Sequence, residues 1–354
     1  MKKIGLFLGT LLVVSSVHAE LFRVQNIPME ATADTAVQAK EAALFAANGQ
    51  AFQTLLKKIA VVEDGETLPV LTPDDIMPLV KDMQISDEKT GAAKYTGNLS
   101  VRFDKEGVTT LLKNLNIPFV VDEPPALLVI PVWQEGETIV SLEESNPLFV
   151  ALKENVSDNA LVSLKGPTGD VAELALMTPD VLSGENLFLA AGLLPTYKAG
   201  SVLWVKVDKN DRLMHVETKV YPASDSINGD LNFTVSSGSN NIPEIAKKLL
   251  QKIEKDIDTQ TKQLQWEQLQ NPTELEVIVP VSSVTEWAPL KKKLEKIKTI
   301  DSVQLSSAKK GQLILIIKST QSEEAVIKAL SRQNLILAQE AFGTWYLTSA
   351  IKEN

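Results

Sequence analysis

Acid–base or nucleophilic chemistry in this chain would fall to carboxylates and hydroxyls, because imidazoles are scarce and thiols absent. The 354 residues include two histidines and no cysteine. His18 lies in an apolar N-terminal stretch, so His215 is the one imidazole in the body of the chain. It falls in Leu213-Met214-His215-Val216-Glu217, the alternation of a half-buried strand. A catalytic triad needs a serine and an acid converging on such a histidine, and there is no G-x-S-x-G elbow to present the serine. The context predicts a sheet-surface imidazole. Zinc sites built from several His or Cys ligands are excluded by count. Thiol catalysis and a disulfide framework are excluded with them.

Oxygen-rich clusters are the next candidates. Asp208-Lys209-Asn210-Asp211 would offer calcium ligands, but it lacks the glycine and the closing glutamate of an EF-hand loop. Asn and Asp also favour tight turns, and a hairpin turn accounts for them here. Gly166-Pro167-Thr168-Gly169-Asp170 is glycine-rich after a strand, yet it lacks the Lys-Ser/Thr of a phosphate loop and reads as a turn. Paired carboxylates at Asp74-Asp75, Glu143-Glu144 and Glu323-Glu324 would suit a glycosidase by type. Each pair lies at an expected helix start, where acids favour the helix dipole. No cofactor motif is present, and the expectation is a chain without catalytic residues, cofactor or metal.

Five tryptophans sit on separate elements. Trp133 and Trp204 lie in apolar strands and are expected in the core. Trp266, among glutamines at a polar helix end, is the candidate exposed anchor for a partner.

The chain's address is read from its first residues. Lys2 and Lys3 precede an apolar run from Ile4 to Val14, and Val17-His18-Ala19 fits a signal-peptidase site. This predicts a secretory signal peptide over residues 1–19, cleavage after Ala19 and a periplasmic product. The run is too short for a membrane span, which needs ~20 apolar residues. Without a cysteine at the cleavage site, lipid anchoring there is excluded. Removing Lys2 and Lys3 leaves 33 basic residues against 45 acidic ones, a net charge of −12. Such a surface repels polyphosphates, so nucleic acid is not the expected partner.

The elements that would position these residues fall into three α+β or α/β modules, over residues 20–122, 123–270 and 271–354. In the first, a strand from Leu21 to Ile27 leads into a helix from about Ala33 to Ile59, capped by Thr32 or Asp34. Val37, Leu44, Ala47, Ala51, Leu55 and Ile59 form its apolar stripe, and Gly49 within it is expected to mark close packing. A short helix starts at Thr72-Pro73. Val80–Ser86 and Tyr95–Phe103 read as a hairpin, followed by a helix around Leu111 and a strand at Ile117–Val121. Glu123-Pro124-Pro125 is a stiff boundary.

In the second module, Ala126–Trp133 reads as a strand covered on both faces. Ser145 is the expected cap of the following helix, Ala160–Leu164 a strand, and Leu187–Tyr197 a helix. A three-strand meander follows, and Asn241-Ile242-Pro243 opens a long helix with Ile245, Leu249, Ile253 and Ile257 at four-residue spacing. The third module has the βαββαβ order of a ferredoxin-like plait, with a last strand at Thr344–Thr348 extending it. In that plait the strand Ile300–Ser306 lies at an edge. Ser302, Gln304 and Ser306 are its candidate partner-binding residues, and Pro280 must end the first strand.

Several stretches resemble a family of exported proteobacterial proteins catalogued only as a domain of unknown function. They are Arg102-Phe103-Asp104, Leu111-Leu112, the run from Pro124 to Val129, the alanines at 42, 43, 46 and 47, the strand Ser201–Val205, and Trp287 before Leu290 and Leu294. The chain departs from that pattern at Glu123, where the family has arginine. It departs again at Lys58-Ile59-Ala60, where the family has a basic-Leu-Ser-Gly turn. The resemblance implies export and carries no catalytic residue with it. By element order the middle module is similar to small α/β domains of periplasmic accessory proteins. The expected role is therefore a non-enzymatic interaction or scaffold protein of the cell envelope with an envelope protein partner. The alternatives are a carboxylate-dependent envelope hydrolase and a small-ligand binding protein with a pocket between the first two modules.

Overall fold

A computed structural model of the chain describes residues 21–62, 67–236, 241–339 and 344–349. The signal peptide and its cleavage point lie outside them. Within them the protein is mixed α+β with three sheets.

The first sheet, all antiparallel in order β1-β3-β2, joins β1 (Arg23–Thr32), β2 (Val80–Thr90) and β3 (Lys94–Phe103). Against it lies α1 (Ala36–Ile59), with the turn α2 (Pro73–Ile76) beside it and α3 (Lys105–Asn114) after β3. Ala39, Ala43, Ala47 and Ala51 face the sheet, and such small side chains let the helix approach closely. Phe52 meets Phe103 edge to face at 5.6 Å. Thr35, not Thr32 or Asp34, caps α1, accepting from the Gln38 N–H at 3.2 Å. The reason is that β1 continues to Thr32, which pairs with Lys94. Val37 is exposed and leaves the stripe. Gly49 is not a close-packing point, since a Cβ there would meet nothing within 4 Å. Ile117–Val121 forms no ladder; Phe119 makes a single bridge to Ala60.

The second sheet has order β5-β4-β7-β8-β9. Its strands are β4 (Leu127–Glu135), β5 (Thr138–Val140), β6 (Leu164–Lys165), β7 (Ser201–Asn210), β8 (Leu213–Tyr221) and β9 (Asn232–Ser236). Strands β4 and β7 are parallel and lie between two layers. One layer is α4 (Pro147–Asn155) and the long α9 (Ile242–Gln270). The other is a string of single turns: α5 (Val171–Leu174), α6 (Pro179–Leu182), α7 (Phe188–Ala191) and α8 (Leu194–Tyr197). Leu127 to Trp133 are consequently all buried, as a two-sided strand requires.

Pro131 is tolerated in mid-strand because β6 pairs only with Leu127 and Leu128, and β5 only from Trp133 onward. In the gap between them, the Pro131 carbonyl accepts from Ser141 Oγ (2.8 Å) and Asn146 Nδ2 (3.2 Å). Asn146, one residue past the expected Ser145, caps α4 because Pro147 occupies the first helical position. The expected strand at Ala160–Leu164 shrinks to Leu164–Lys165. The expected helix at Leu187–Tyr197 is two turns, since Pro195 has no N–H to continue the ladder.

The buried Trp204 ring packs on Gly184, whose φ is +77° and where a Cβ would stand 3.0 Å from the indole. Gly184→Ala should therefore cost about 1–3 kcal/mol. The cost should appear as a lower urea midpoint at unchanged slope. An unchanged midpoint would show that this turn does not pack tightly on Trp204.

One buried cluster runs from the first sheet through to the α9 side of the second. The third sheet has a buried cluster of its own, sharing no residue with the other two. Its order is β11-β12-β10-β14-β13, from β10 (Thr273–Pro280), β11 (Ser302–Lys309), β12 (Gln312–Ser319), β13 (Leu335–Gln339) and β14 (Trp345–Ser349). Two helices, α10 (Trp287–Leu294) and α11 (Glu323–Ser331), complete the βαββαβ order. Pro280 is the last residue of β10. The final strand does not extend the plait at its edge. Instead β14 slots in parallel beside β10, and β13 pairs antiparallel outside it. The sheet face opposite the buried cluster carries half-buried Ile278, Ile314, Ile316 and Tyr346.

Candidate functional site

The chemistry-bearing residues singled out from sequence lie apart. His215 is exposed on β8, with Nδ1 3.2 Å from Thr234 Oγ1 across the ladder. Asp211 has φ 50° and turns the β7–β8 hairpin. Thr168 N donates to Tyr197 Oη at 2.9 Å and Gly169 N to Glu173 Oε2 at 2.7 Å, so those glycine-loop donors are already engaged. Tyr197 Oη in turn donates to the buried Glu173 carboxylate. Glu144 pairs with Lys153 (2.8 Å), and Asp75 accepts from Thr72 Oγ1 (2.6 Å), both at helix starts. Among the described residues no group of three His, Cys, Asp or Glu could hold a metal ion.

The candidate partner residues sit in two places. Trp266 is half-buried in a groove of about 740 Å³ between α3 and the end of α9, beside Phe119, Pro118 and Leu269. Strand β11 is an edge of the third sheet. Ser302 and Gln304 pair in register with Lys318 and Ile316. Ser306 is a bulge residue, skipped between the Leu305–Leu315 and Ser307–Ile314 pairs. The bulge interrupts the expected alternation, and Leu305 is exposed rather than buried.

A third arrangement lies between the first two modules. Between α1 and α9 lies a cleft of about 480 Å³, closed at one end by the segment 157–162. Its charged lining is Lys57 and Lys58 from α1 and Glu254, Lys255, Asp258 and Lys262 from α9. Asp258 is fully engaged: Oδ2 accepts from Leu161 N and Oδ1 from Val162 N, both at 2.9 Å. Glu254 Oε1 accepts from Ser157 N at 3.2 Å. The other side of the segment is tied to β1, where Asn159 exchanges two 2.8 Å hydrogen bonds with the Gln25 backbone. Lys262 Nζ donates to the Lys57 carbonyl at 3.0 Å and links the two helices.

The electrostatics of this cleft are unusual. Burial pushes the Glu254 carboxyl up to about 7; the Ser157 N–H opposes the rise and the Asp258 charge adds to it. Burial also raises Asp258, against the Val162 and Leu161 N–H groups and the Lys262 and Lys58 charges. Lys58 is 6% exposed, and burial pushes its ammonium below the ordinary lysine range, while Glu123 and Asp258 pull it up. No hydrogen bond or ion pair within 4 Å reaches Lys58 among the described residues. A signal for the site exists in the sequence. Glu254 and Asp258 each follow a stripe isoleucine on α9, and Lys58 lies between Leu55 and Ile59 on the stripe of α1. Charges beside an apolar stripe sit at the rim of a packed interface.

No helix among the described residues is long and apolar enough to cross a membrane. The chain matches no known family model and no curated protein.

Proposed function

We propose that the protein is a non-enzymatic interaction or scaffold protein of the bacterial cell envelope, acting in the periplasm after signal cleavage and capturing a protein partner through its third module. The observation that carries this reading is the third sheet, which has its own core and ends on the eight-residue strand β11. Asp301 donates its N–H to the Lys318 carbonyl at 2.9 Å. The Lys318 carbonyl therefore faces β11, so Ser302 and Gln304, opposite Lys318 and Ile316, bond inward to β12, and the N–H groups of Val303 and Leu305 turn outward, where an added strand accepts from them. The Ser306 bulge would limit that pairing to the first half of β11. Trp266 is the second proposed anchor, offering an aromatic in a groove rather than a flat surface. The separation of the chemistry-bearing residues on different elements supports the same reading.

The test uses the full-length protein. Leu305→Pro removes an outward donor at an exposed position, so it should reduce recovery of crosslinked partners from intact envelopes while leaving the melting temperature within about 2 °C. Capture equal to wild type would reject the edge as the docking element. Loss of folding would show that the strand is interior.

A further inference from the structure

Among the charged groups that line the cleft between α1 and α9, Lys58 and Glu254 make no ion pair with each other. Lys58 is buried at 6% exposure, lines the cavity and has no hydrogen-bond or ion-pair partner among the described residues. Its place in the last turn of α1 lets the helix dipole offset part of the cost of burial, but a dipole is no substitute for a counter-ion. Glu254 lines the same cavity and accepts a single backbone N–H, with no ion pair to it among the described residues. Asp258, the other acid, has both oxygens committed to backbone N–H groups.

We propose that this cleft binds a small zwitterion, an amino acid or short peptide, with its carboxylate on Lys58 and its ammonium on Glu254. The cavity of about 480 Å³ is in the range of small-molecule sites. Its walls are set in advance, because the segment 157–162 is tied to β1 through Asn159 and to α9 through Glu254 and Asp258. Thr54, Gln251 and Thr259 add uncharged polar groups to the lining. A simple anion meets Lys58 but leaves Glu254 with one backbone N–H and no opposite charge on the ligand, and the chain as a whole is acidic. A simple cation would add positive charge to a lining that already carries four lysines. A ligand with both charges answers both groups and, being neutral overall, is not repelled by the surface. The inference is independent of docking through β11, which none of these residues touches.

The experiment is calorimetric titration of the full-length protein with L-alanyl-L-alanine. Its N-acetyl form, its C-terminal amide and inorganic phosphate are titrated in parallel. The dipeptide should bind, and each blocked form should bind at least about tenfold more weakly, because each loses one charged contact. Affinity should rise from about pH 6 to a maximum between about pH 7 and about pH 8 as Glu254 gives up its proton, and fall above it as the dipeptide's own amino group loses its charge. Lys58→Met should abolish binding in a folded protein whose melting temperature is unchanged or raised. Glu254→Gln, which keeps the acceptor for Ser157, provides a second variant should the first not fold, and it too should abolish binding. Absence of dipeptide binding, equal binding of phosphate or of a blocked form, or retention of binding in the folded variants would overturn the proposal.

Discussion

Replacing Glu254 by glutamine stabilises the folded protein at pH 8 by roughly 3 kcal/mol and leaves it nearly unchanged near pH 4. The sign follows from the direction of the shift. Burial raises the folded-state carboxyl from 4.5 to about 7, so folding favours the protonated form. The contribution of Glu254 to stability is therefore fully present below the unfolded value and is lost as pH rises through about 7. Above that pH the folded state carries a largely buried carboxylate with one N–H donor and no ion pair among the described residues. Glutamine keeps an oxygen for Ser157 N and never ionises. Urea titrations of both proteins across this range should show curves that meet in acid and diverge toward neutrality. A glutamine variant no more stable than wild type at pH 8 would mean that Glu254 is charged and well compensated. A charge retained at a cost in stability is a mark of a functional position, which links this measurement to the proposed ligand site. The charged groups facing Glu254 across the cleft are Lys57 and Lys58 on α1, with Lys255, Asp258 and Lys262 on its own helix.

The neighbouring acid should behave in the opposite way. Asp258→Ala is expected to destabilise by about 2–5 kcal/mol, because it strands two backbone donors and removes a charge opposite Lys58. Leu161 and Val162, whose N–H groups it satisfies, are themselves buried, so water does not replace it readily. Asp258→Asn, with one acceptor oxygen left, should cost less. In a Lys58→Met background the Asp258→Ala penalty should shrink, since part of it is the loss of the charge facing the buried ammonium. Denaturant unfolding of the four proteins measures this coupling. A penalty below about 1 kcal/mol in the wild-type background would show that segment 157–162 does not depend on Asp258. The contrast between the two acids, one turn apart on α9, tests whether the cleft is divided into a structural half and an open half.

What this chain's residues determine locally, they determine well. Apolar periodicity marks the two-sided strand at Leu127–Trp133, the meander that follows and the isoleucine stripe of α9, because each pattern reports which side of an element faces a core. Caps followed by proline place the starts of α2 and α9, since proline fixes φ and needs no donor there. Errors of one or a few residues arose where a neighbour competed for the same backbone, as when β1 ran on to Thr32 and displaced the cap of α1.

Periodicity states that a face is buried, but not against what. The insertion of β14 beside β10 needed a parallel pairing that no local pattern encodes. The bulge at Ser306 altered the pleat of β11 without a glycine to announce it. The meeting of Lys58 with Glu254 and Asp258 joins helices nearly two hundred residues apart. Each of these charges reads along the chain as an ordinary solvated residue beside an apolar stripe. Only the packing of α1 near α9, with segment 157–162 closing the end, removes water from them and turns three surface charges into a cleft.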